Sequence, residues 1–403
     1  MRWFSRKTSE PKKFDPWLIG IIFLLIATSF LAIYSSMKLV PAAAGNPVFN
    51  QLKWVIVGLV AVIVITYFDN EALYDFIKIV YWILMGLLLI LFIDLVLFKL
   101  IGRHLPGGLI TDINGAISWY QIPGIGSFQP SEFMKIVLIV RCALVIDEHN
   151  QDKIEDCFES DIELFGKIIR IIGFPLLLIL LQPDTGIFII IVFSIAMMVL
   201  CSGIKKEWFV FALILVLVFL TLFMFLFFFQ RDFLEMFIDS YKLQRIDGWL
   251  FPELNKNGDG YQLYTALLAI GSAGLNGVGL QPNTIVIAEA HTDLIFVVFA
   301  QSFGFIGAIW IIFLCFGLDF RISTILRRTK NMSEKYMLCG FIGMLIYQQI
   351  QNIGMVVGLL PITGITLPFI SYGGSSLLSY FIMLGFVLNA SAHANKPGEL
   401  NYD

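Results

Sequence analysis

Charged side chains are scarce in this chain, and their scarcity excludes a soluble globular protein. They make up 14% of its 403 residues, whereas soluble proteins carry roughly 25%. Hydrophobic residues account for 58%, and the mean hydropathy is +0.84. The composition therefore predicts a protein that crosses a membrane several times, and we expect it to have no nucleic-acid partner.

We expect neither a disulfide or metal framework nor a cleavable signal peptide. Residues 1–16 are polar and basic, and the apolar run that follows, residues 17–34, is long enough to remain as a membrane span. The cysteines show no spacing typical of a disulfide or zinc site, and we expect them to pack as small apolar side chains. They are Cys142, Cys157, Cys201, Cys315 and Cys339.

Apolar runs of roughly 15–25 residues follow one another along the chain, the length that a hydrocarbon core of ~30 Å demands. We therefore predict an all-α polytopic membrane protein with about ten transmembrane helices. The approximate limits of the spans are 17–34, 52–67, 75–98, 132–146, 168–182, 185–202, 207–229, 292–318, 336–358 and 372–391.

Lysine and arginine residues gather at three places that a ten-span topology puts on one side of the membrane. These are the tail 1–16, the connection at Lys205, and residues 319–335. Cytoplasmic connections carry the excess of basic residues, so both termini are predicted to be cytoplasmic. The predicted organisation is a tail over 1–16, a membrane domain over 17–391 and a second tail over 392–403.

Two long connections then face outward, residues 99–131 and 230–291. The second, between spans seven and eight, is about sixty residues long and contains apolar clusters. Loops of this length are usually functional or disordered, and the apolar clusters favour packing against the membrane domain, with 261–270 as a candidate interfacial helix. The acidic connection 147–167 on the opposite side is predicted to be a solvated linker.

Residues 358–376, GLLPITGITLPFISYGGSS, have no charge and cannot form a regular helix. Proline removes a backbone donor, and glycine weakens a helix. Irregular backbone beside a membrane persists only where protein buries it or water reaches it. We expect this segment to line a cavity at a membrane face, the alternative being an apolar connecting loop. Its distinctive residues are Pro361, Gly364, Pro368, Ser371, Gly373 and Gly374.

The fourth span opens with Gln129, Pro130, Ser131 and Glu132, which read as a helix start. Lys135 lies three residues after Glu132, on the same helix face and inside the apolar span. An ionisable residue there is costly and is by default a functional hypothesis. The alternative is a structural ion pair that satisfies itself.

Further polar residues come from separate parts of the chain near the predicted outer face. Asp293 is a candidate base, the alternative being an N-cap. Asp184, in a short turn between two spans, is a candidate substrate-binding or supporting residue, the alternative again being a helix cap. His291 is a candidate pH-sensitive base or a hydrogen-bonded loop residue. Arg245 is a candidate phosphate partner or a solvated charge. Trp119 is a candidate cavity residue or an interfacial anchor.

These motifs together resemble the SEDS family of RodA/FtsW-type bacterial proteins over nearly the whole chain. The resemblance implies a glycosyltransferase that polymerises lipid II into β-1,4 glycan strands of peptidoglycan, with Asp293 as its essential carboxylate. It also implies a class B penicillin-binding protein as partner. The matching segments are Asn114-Gly115-Ala116 with Trp119, Gln129-Pro130-Ser131-Glu132 with Lys135, Gln182-Pro183-Asp184, Gly260-Tyr261-Gln262, Ala269-Ile270-Gly271-Ser272, Glu289-Ala290-His291-Thr292-Asp293, and residues 358–376.

The implied reaction inverts the anomeric centre, because the donor sugar is α-linked and the product is β-linked. It needs one base for the acceptor hydroxyl and positive charge near the departing diphosphate. Asp293 can be the base, and Lys135, Arg245 or a divalent cation can support the leaving group. With no dense metal motif in the sequence, an Mg²⁺ or Mn²⁺ ion is expected to bind largely through substrate phosphates.

The chain departs from the family pattern at two places. Ile287-Ala288 stands where Leu-Pro is common, and Gln301-Ser302 stands where two acidic residues are common. The pattern leans slightly toward the RodA type. Two other functions stay open: a flippase or transporter of a lipid-linked precursor, which broken helices also fit, and a non-catalytic scaffold for wall enzymes.

Overall fold

The computed structural model describes most of the chain. The described residues are 12–39, 45–105, 108–110, 117–122, 126–153, 155, 157–238, 240–282, 285 and 287–394. The Asn114-Gly115-Ala116 motif and both ends of the chain, including the basic residues before Lys12, lie outside them.

The described part of the chain folds into thirteen α-helices and one short antiparallel hairpin. The strands β1 (Tyr120–Ile122) and β2 (Gly126–Phe128) pair with Tyr120 opposite Phe128. The helices are α1 (Pro16–Ser36), α2 (Pro47–Tyr67), α3 (Asn70–Ile101), α4 (Pro130–Asp152), α5 (Phe158–Leu181), α6 (Thr185–Leu200), α7 (Lys206–Phe229), α8 (Arg231–Glu235), α9 (Ser240–Leu250), α10 (Tyr261–Ser272), α11 (Ile295–Arg328), α12 (Met332–Val356) and α13 (Gly374–Ala394).

The predicted all-α membrane fold is confirmed. A helix lies at each of the ten predicted spans. Seven of them, α1, α2, α3, α5, α7, α11 and α13, are long and apolar enough to cross a membrane by themselves. Helix α6 is apolar but has only 16 residues, and α4 and α12 carry more polar side chains. The count of ten spans therefore stays a prediction.

The connection between α4 and α5 is not the solvated linker that its acidic composition suggested. Helix α4 continues to Asp152 and α5 already begins at Phe158. Acidic residues favour the first turn of a helix, and Asp161 in that turn is buried. Its carboxylate accepts hydrogen bonds from the backbone N–H of Lys205 and from Nε1 of Trp208, each at 3.1 Å. This contact fixes the start of α5.

Helices α4, α12 and α13 form the buried centre of the bundle, and α7 lies at its edge. Most side chains of α12 and α13 are buried. In contrast, the most apolar stretch of α7 has mean hydropathy 3.2 and buries none of its residues. A helix that is apolar all round and exposed along its length fits a lipid environment.

The long 230–291 connection is folded and packs on the bundle. It contains α8, α9 and α10, and α10 confirms the helix expected over 261–270. Helix α10 lies against α11 and α12. On α9, Nε1 of Trp249 donates a 3.0 Å hydrogen bond to the carbonyl of Gly358. This bond ties the loop to the irregular segment before α13.

Candidate functional site

Four helices begin at one face of the bundle, around a cavity of about 1020 Å³. They are α4, α6, α11 and α13, and the first residues of α10 complete the wall. Helix N-termini carry unpaired N–H groups and the positive end of the helix dipole, so they favour anions. Their convergence makes the cavity suited to a phosphate-bearing ligand.

The start of α4 and the turn before α6 are joined through Asp184. Its Oδ2 atom accepts hydrogen bonds from Nε2 of Gln129 at 2.8 Å and from Oγ of Ser131 at 2.7 Å. Its Oδ1 atom caps α6 by accepting from the N–H of Ile187 at 3.3 Å. Burial raises the pKa of Asp184, and the charge of Glu132 raises it further. The expected cap is therefore also the contact that unites two motifs separated in sequence.

Glu132 and Lys135 form a buried ion pair, as their spacing predicts. Glu132 lines the cavity, whereas Lys135 lies behind the wall with no exposed surface. The Lys135 ammonium lies 4.7 Å from the ring centroid of Tyr380, and Oγ of Ser379 donates to Glu132 at 3.3 Å. Lys135 therefore acts on the cavity through Glu132 and not by direct contact.

Asp293 lies in the turn just before α11 and lines the cavity. The helix begins at Ile295 with Leu294 at its N-cap and no side-chain cap bond, so the capping alternative for Asp293 is wrong. Burial raises the pKa of Asp293 to about 7, with a further contribution from the charge of Glu289. A carboxylate with a pKa near neutral pH can accept a proton and release it again.

The segment before α13 holds the Asp293 turn in place. Oγ of Ser371 donates to the carbonyl of Thr292 at 2.8 Å, and the N–H of Tyr372 donates to the carbonyl of His291 at 2.9 Å. Nδ2 of Asn352, on α12, donates to the carbonyl of Asp293 at 2.8 Å. These backbone contacts leave the carboxylate of Asp293 directed at the cavity.

Residues 357–373 form no regular helix and line the cavity, as their prolines and glycines predict. Gly364, Gly373 and Gly374 contribute to the wall, and a Cβ at Gly364 would lie 3.2 Å from Oδ2 of Asp293. Pro368 is buried, and the carbonyl of Pro361 accepts a 2.9 Å bond from Nε2 of Gln351. The buried part of the segment, residues 367–371, thus supports the site.

The remaining candidates divide between the wall and the layer behind it. Trp119 and Arg245 line the cavity, the first from the chain before β1 and the second from α9. His291 lies behind the wall with its ring centroid 5.2 Å from that of Tyr372. Burial lowers the pKa of His291, so its side chain is neutral at pH 7. These positions favour the loop-residue interpretation for His291.

The sequence reasoning missed the polar face of α12. Gln348 lines the cavity and donates a 2.7 Å hydrogen bond to the Tyr380 hydroxyl. Asn352, one turn later, supports both Asp293 and the carbonyl of Ile365. The signal was present, since the run Tyr347-Gln348-Gln349-Ile350-Gln351-Asn352 places amides inside a span, where polar residues are costly.

Two of the cavity carboxylates, Glu132 and Asp184, already have side-chain partners. Oε2 of Glu132 is shared by Lys135 and Ser379, and Oδ2 of Asp184 accepts from Gln129 and Ser131. Within the described residues, no cluster of three or more His, Cys, Asp or Glu side chains is arranged to hold an ion.

Comparison with known proteins identifies the family. The model FTSW_RODA_SPOVE, described as cell cycle protein, matches residues 16–396. The chain is 31% identical over 394 residues to the probable peptidoglycan glycosyltransferase FtsW of Coxiella burnetii, with 95% of this chain and 98% of that protein covered. It is 30% identical over 399 residues to stage V sporulation protein E of Bacillus subtilis, with 97% and 99% covered. The chain belongs to the FtsW, RodA and SpoVE family of cell cycle proteins.

Solved structures share the fold. One match is a chain from a structure described as "Structural coordination of polymerization and crosslinking by a peptidoglycan synthase complex". It superimposes with a TM-score of 0.72 at 23% identity, and the match covers 95% of this chain and 99% of that chain. The rod shape determining protein RodA of Thermus thermophilus gives 0.62 at 24% identity, covering 95% and 98%. Both FtsW and RodA types are among these matches, and the lean toward the RodA type stays a prediction.

Proposed function

We propose that the protein is a peptidoglycan glycosyltransferase that polymerises lipid II at the outer face of the bacterial cytoplasmic membrane. One observation carries the proposal: a carboxylate with a pKa of about 7 faces the same cavity as four helix N-termini. The carboxylate can take the proton of an acceptor hydroxyl, and the helix N-termini can stabilise the negative charge of a diphosphate leaving group. The names of the curated relatives support the same activity.

In the proposed reaction, the carboxylate of Asp293 takes the proton of the acceptor 4-hydroxyl as its oxygen attacks the anomeric carbon. The bond between that carbon and the diphosphate oxygen breaks on the opposite face, so an α-linked donor gives a β-linked product. The undecaprenyl diphosphate leaves with the bonding electron pair. Arg245 and the helix N-termini stabilise its charge, and a divalent cation bound to the diphosphate would add to that stabilisation.

A lipid-flipping function has one observation in its favour, since α11 is broken at Gly304 and transporters use broken helices. The carboxylates Glu132, Asp184 and Asp293, however, lie at the starts of α4, α6 and α11, whereas transporters place their sites near the middle of their spans. Purified protein in liposomes with labelled lipid II separates the two. Glycan polymer without a second enzyme supports the proposal, and translocation without polymer supports a flippase. Neither product would leave the scaffold function.

We further propose that a class B penicillin-binding protein is the partner that crosslinks the strands. The sequence has no S-x-x-K motif with SDN and KTG companions, which agrees with a division of labour in which another chain crosslinks the strands. The matched synthase complex supports such a pairing. The basic residues of the sequence support a topology with both termini in the cytoplasm and the cavity outside.

Co-expression with each class B transpeptidase of the same cell tests the partnership. We expect one of them to co-purify in detergent and to raise the polymerisation rate, because the exposed apolar faces of the bundle suit a single added helix. Co-expression with an unrelated single-span protein is the control. If every transpeptidase elutes separately and leaves the rate unchanged, the partnership is wrong.

A further inference from the structure

Helix α11, which carries Asp293 before its first turn, is interrupted at Gly304. The backbone there has φ 67° and ψ −159°, which lies outside the helical region. In an unbroken helix, the N–H groups of residues 305 and 306 would donate to the carbonyls of residues 301 and 302. The break separates these pairs inside a membrane-spanning helix, where unsatisfied backbone groups cost several kcal/mol.

Residues 274–279 of the long loop supply all four missing partners. The carbonyls of Gln301 and Ser302 accept from the N–H groups of Val278 at 2.9 Å and Gly279 at 3.1 Å. The N–H groups of residues 305 and 306 donate to the carbonyls of residues 274 and 275 at 3.0 and 3.3 Å. The loop therefore replaces two helical hydrogen bonds with four of its own. We call this contact the loop junction.

Two glycines allow the backbones to approach this closely. A Cβ at Gly277 would lie 2.3 Å from the carbonyl oxygen of Ser302, and one at Gly304 would lie 2.3 Å from the carbonyl oxygen of Leu275. Both residues also have positive φ, 76° and 67°. Side chains cannot occupy either position without separating the loop from the helix, because the nearest atoms are backbone atoms.

The loop junction lies at one end of a rigid segment, and Asp293 lies at the other. Residues 295–303 form the first part of α11, roughly 13 Å long at ~1.5 Å per residue, and residues 295–302 are all buried. The bonds from Ser371 and Asn352 fix the end near Asp293. The loop junction fixes the other end. The break at Gly304 removes the helical hydrogen bonds that would otherwise join this end to the rest of α11.

We infer that the loop junction is a positioning element for the Asp293 carboxylate, and that Gly277 is its key residue. The same loop contributes Arg245, Tyr261 and Gln262 to the cavity wall. The long loop thus contributes residues to the cavity wall and also fixes the position of residues 295–303, which begin next to Asp293. This inference rests on the proposed glycosyltransferase function.

The variant Gly277→Ala tests the inference in full-length protein with lipid II. We expect kcat to fall at least about tenfold with KM changed less than about threefold. We also expect the midpoint of the pH–rate profile to move below the wild-type value, since a displaced segment admits water to Asp293. The matched controls are Gly271→Ala, whose Cβ meets nothing within 4 Å, and Gly317→Ala, whose nearest contact is at 3.8 Å. Both should match the wild type.

A folded Gly277→Ala protein with wild-type kcat and pH midpoint would overturn the inference. Should that variant fail to fold, hydrogen exchange on the wild type decides. The amides of Val278 and Gly279 should exchange at least about a hundredfold more slowly than unbonded loop amides, and exchange at the free rate would refute the loop junction. Exchange needs no activity, so its result is independent of the proposed function. A wild type that makes no polymer refutes that function instead.

Discussion

Asp293→Asn is expected to abolish measurable glycan polymerisation, a loss of at least about a hundredfold, in a protein that folds and inserts normally. The amide keeps the shape of the carboxylate but cannot take the acceptor proton. Its backbone contacts through Asn352 and Ser371 are unaffected, because they involve the carbonyls of Asp293 and Thr292. Polymer length on gels measures activity, and size exclusion with thermal unfolding measures folding.

The same substitution is expected to leave stability equal or higher at pH 8. Folding raises the pKa of the Asp293 carboxyl from 3.8 to about 7, so the folded state binds its proton more tightly than the unfolded state. The resulting stabilisation, on the order of a few kcal/mol, is complete below pH 4 and is lost as the pH rises through 7. An asparagine at this position is neutral at every pH, so it avoids the free-energy cost of a buried negative charge at pH 8. Asp232→Asn, at an exposed position of α8, is the matched control for stability.

Near-normal polymerisation by folded Asp293→Asn protein would remove Asp293 from its proposed role.

Lys135→Met is expected to lower the free energy of unfolding by about 3–5 kcal/mol, the largest loss of stability among the variants proposed. We expect the variant to lose most of its activity as well. The substitution leaves Glu132 as an unpaired charge in a buried position, although methionine fills a similar volume. The double variant Glu132→Gln, Lys135→Met should recover most of the stability, because no unpaired charge remains. Thermal or denaturant unfolding in detergent measures this coupling.

Activity in that double-mutant cycle separates two roles of the pair. If Glu132 faces the substrate and Lys135 orients it, the double variant regains stability and stays inactive. Recovery of both would show that the ion pair is purely structural. Simple additivity of the two single losses in stability would show that the residues are not coupled.

Hydrophobic run length predicted the positions of the helices well, because the membrane leaves few alternatives to a helix. The irregular segment before α13 was predictable for the same reason, from Pro361, Pro368 and its glycines. Asp293, Glu132 and Asp184 could be identified as candidates because carboxylates are rare among these apolar runs. Their convergence was not predictable from residue spacing, since it depends on how α4, α6 and α11 pack.

The loop junction shows what a sequence of this kind conceals. Gln301 and Ser302 sit inside an apolar run that reads as one continuous span, and Gly304 is an unremarkable residue for a membrane helix. The break exists because residues 274–279 bond to it from a distant part of the chain. The capping interpretation of Asp293 was wrong for a related reason: the turn before α11 is held by Asn352 and Ser371, so the helix starts later than its polar residues suggest.

The pH dependence of the chemical step shows whether Asp293 is the base in sugar transfer. Single-turnover polymerisation by purified protein at saturating lipid II should rise about tenfold per pH unit below pH 7 and level off above it. The rise follows because only the deprotonated carboxylate accepts the proton, and burial raises its pKa to about 7. A rate that stays constant from pH 5 to 8, in protein that remains folded throughout, would contradict the claim.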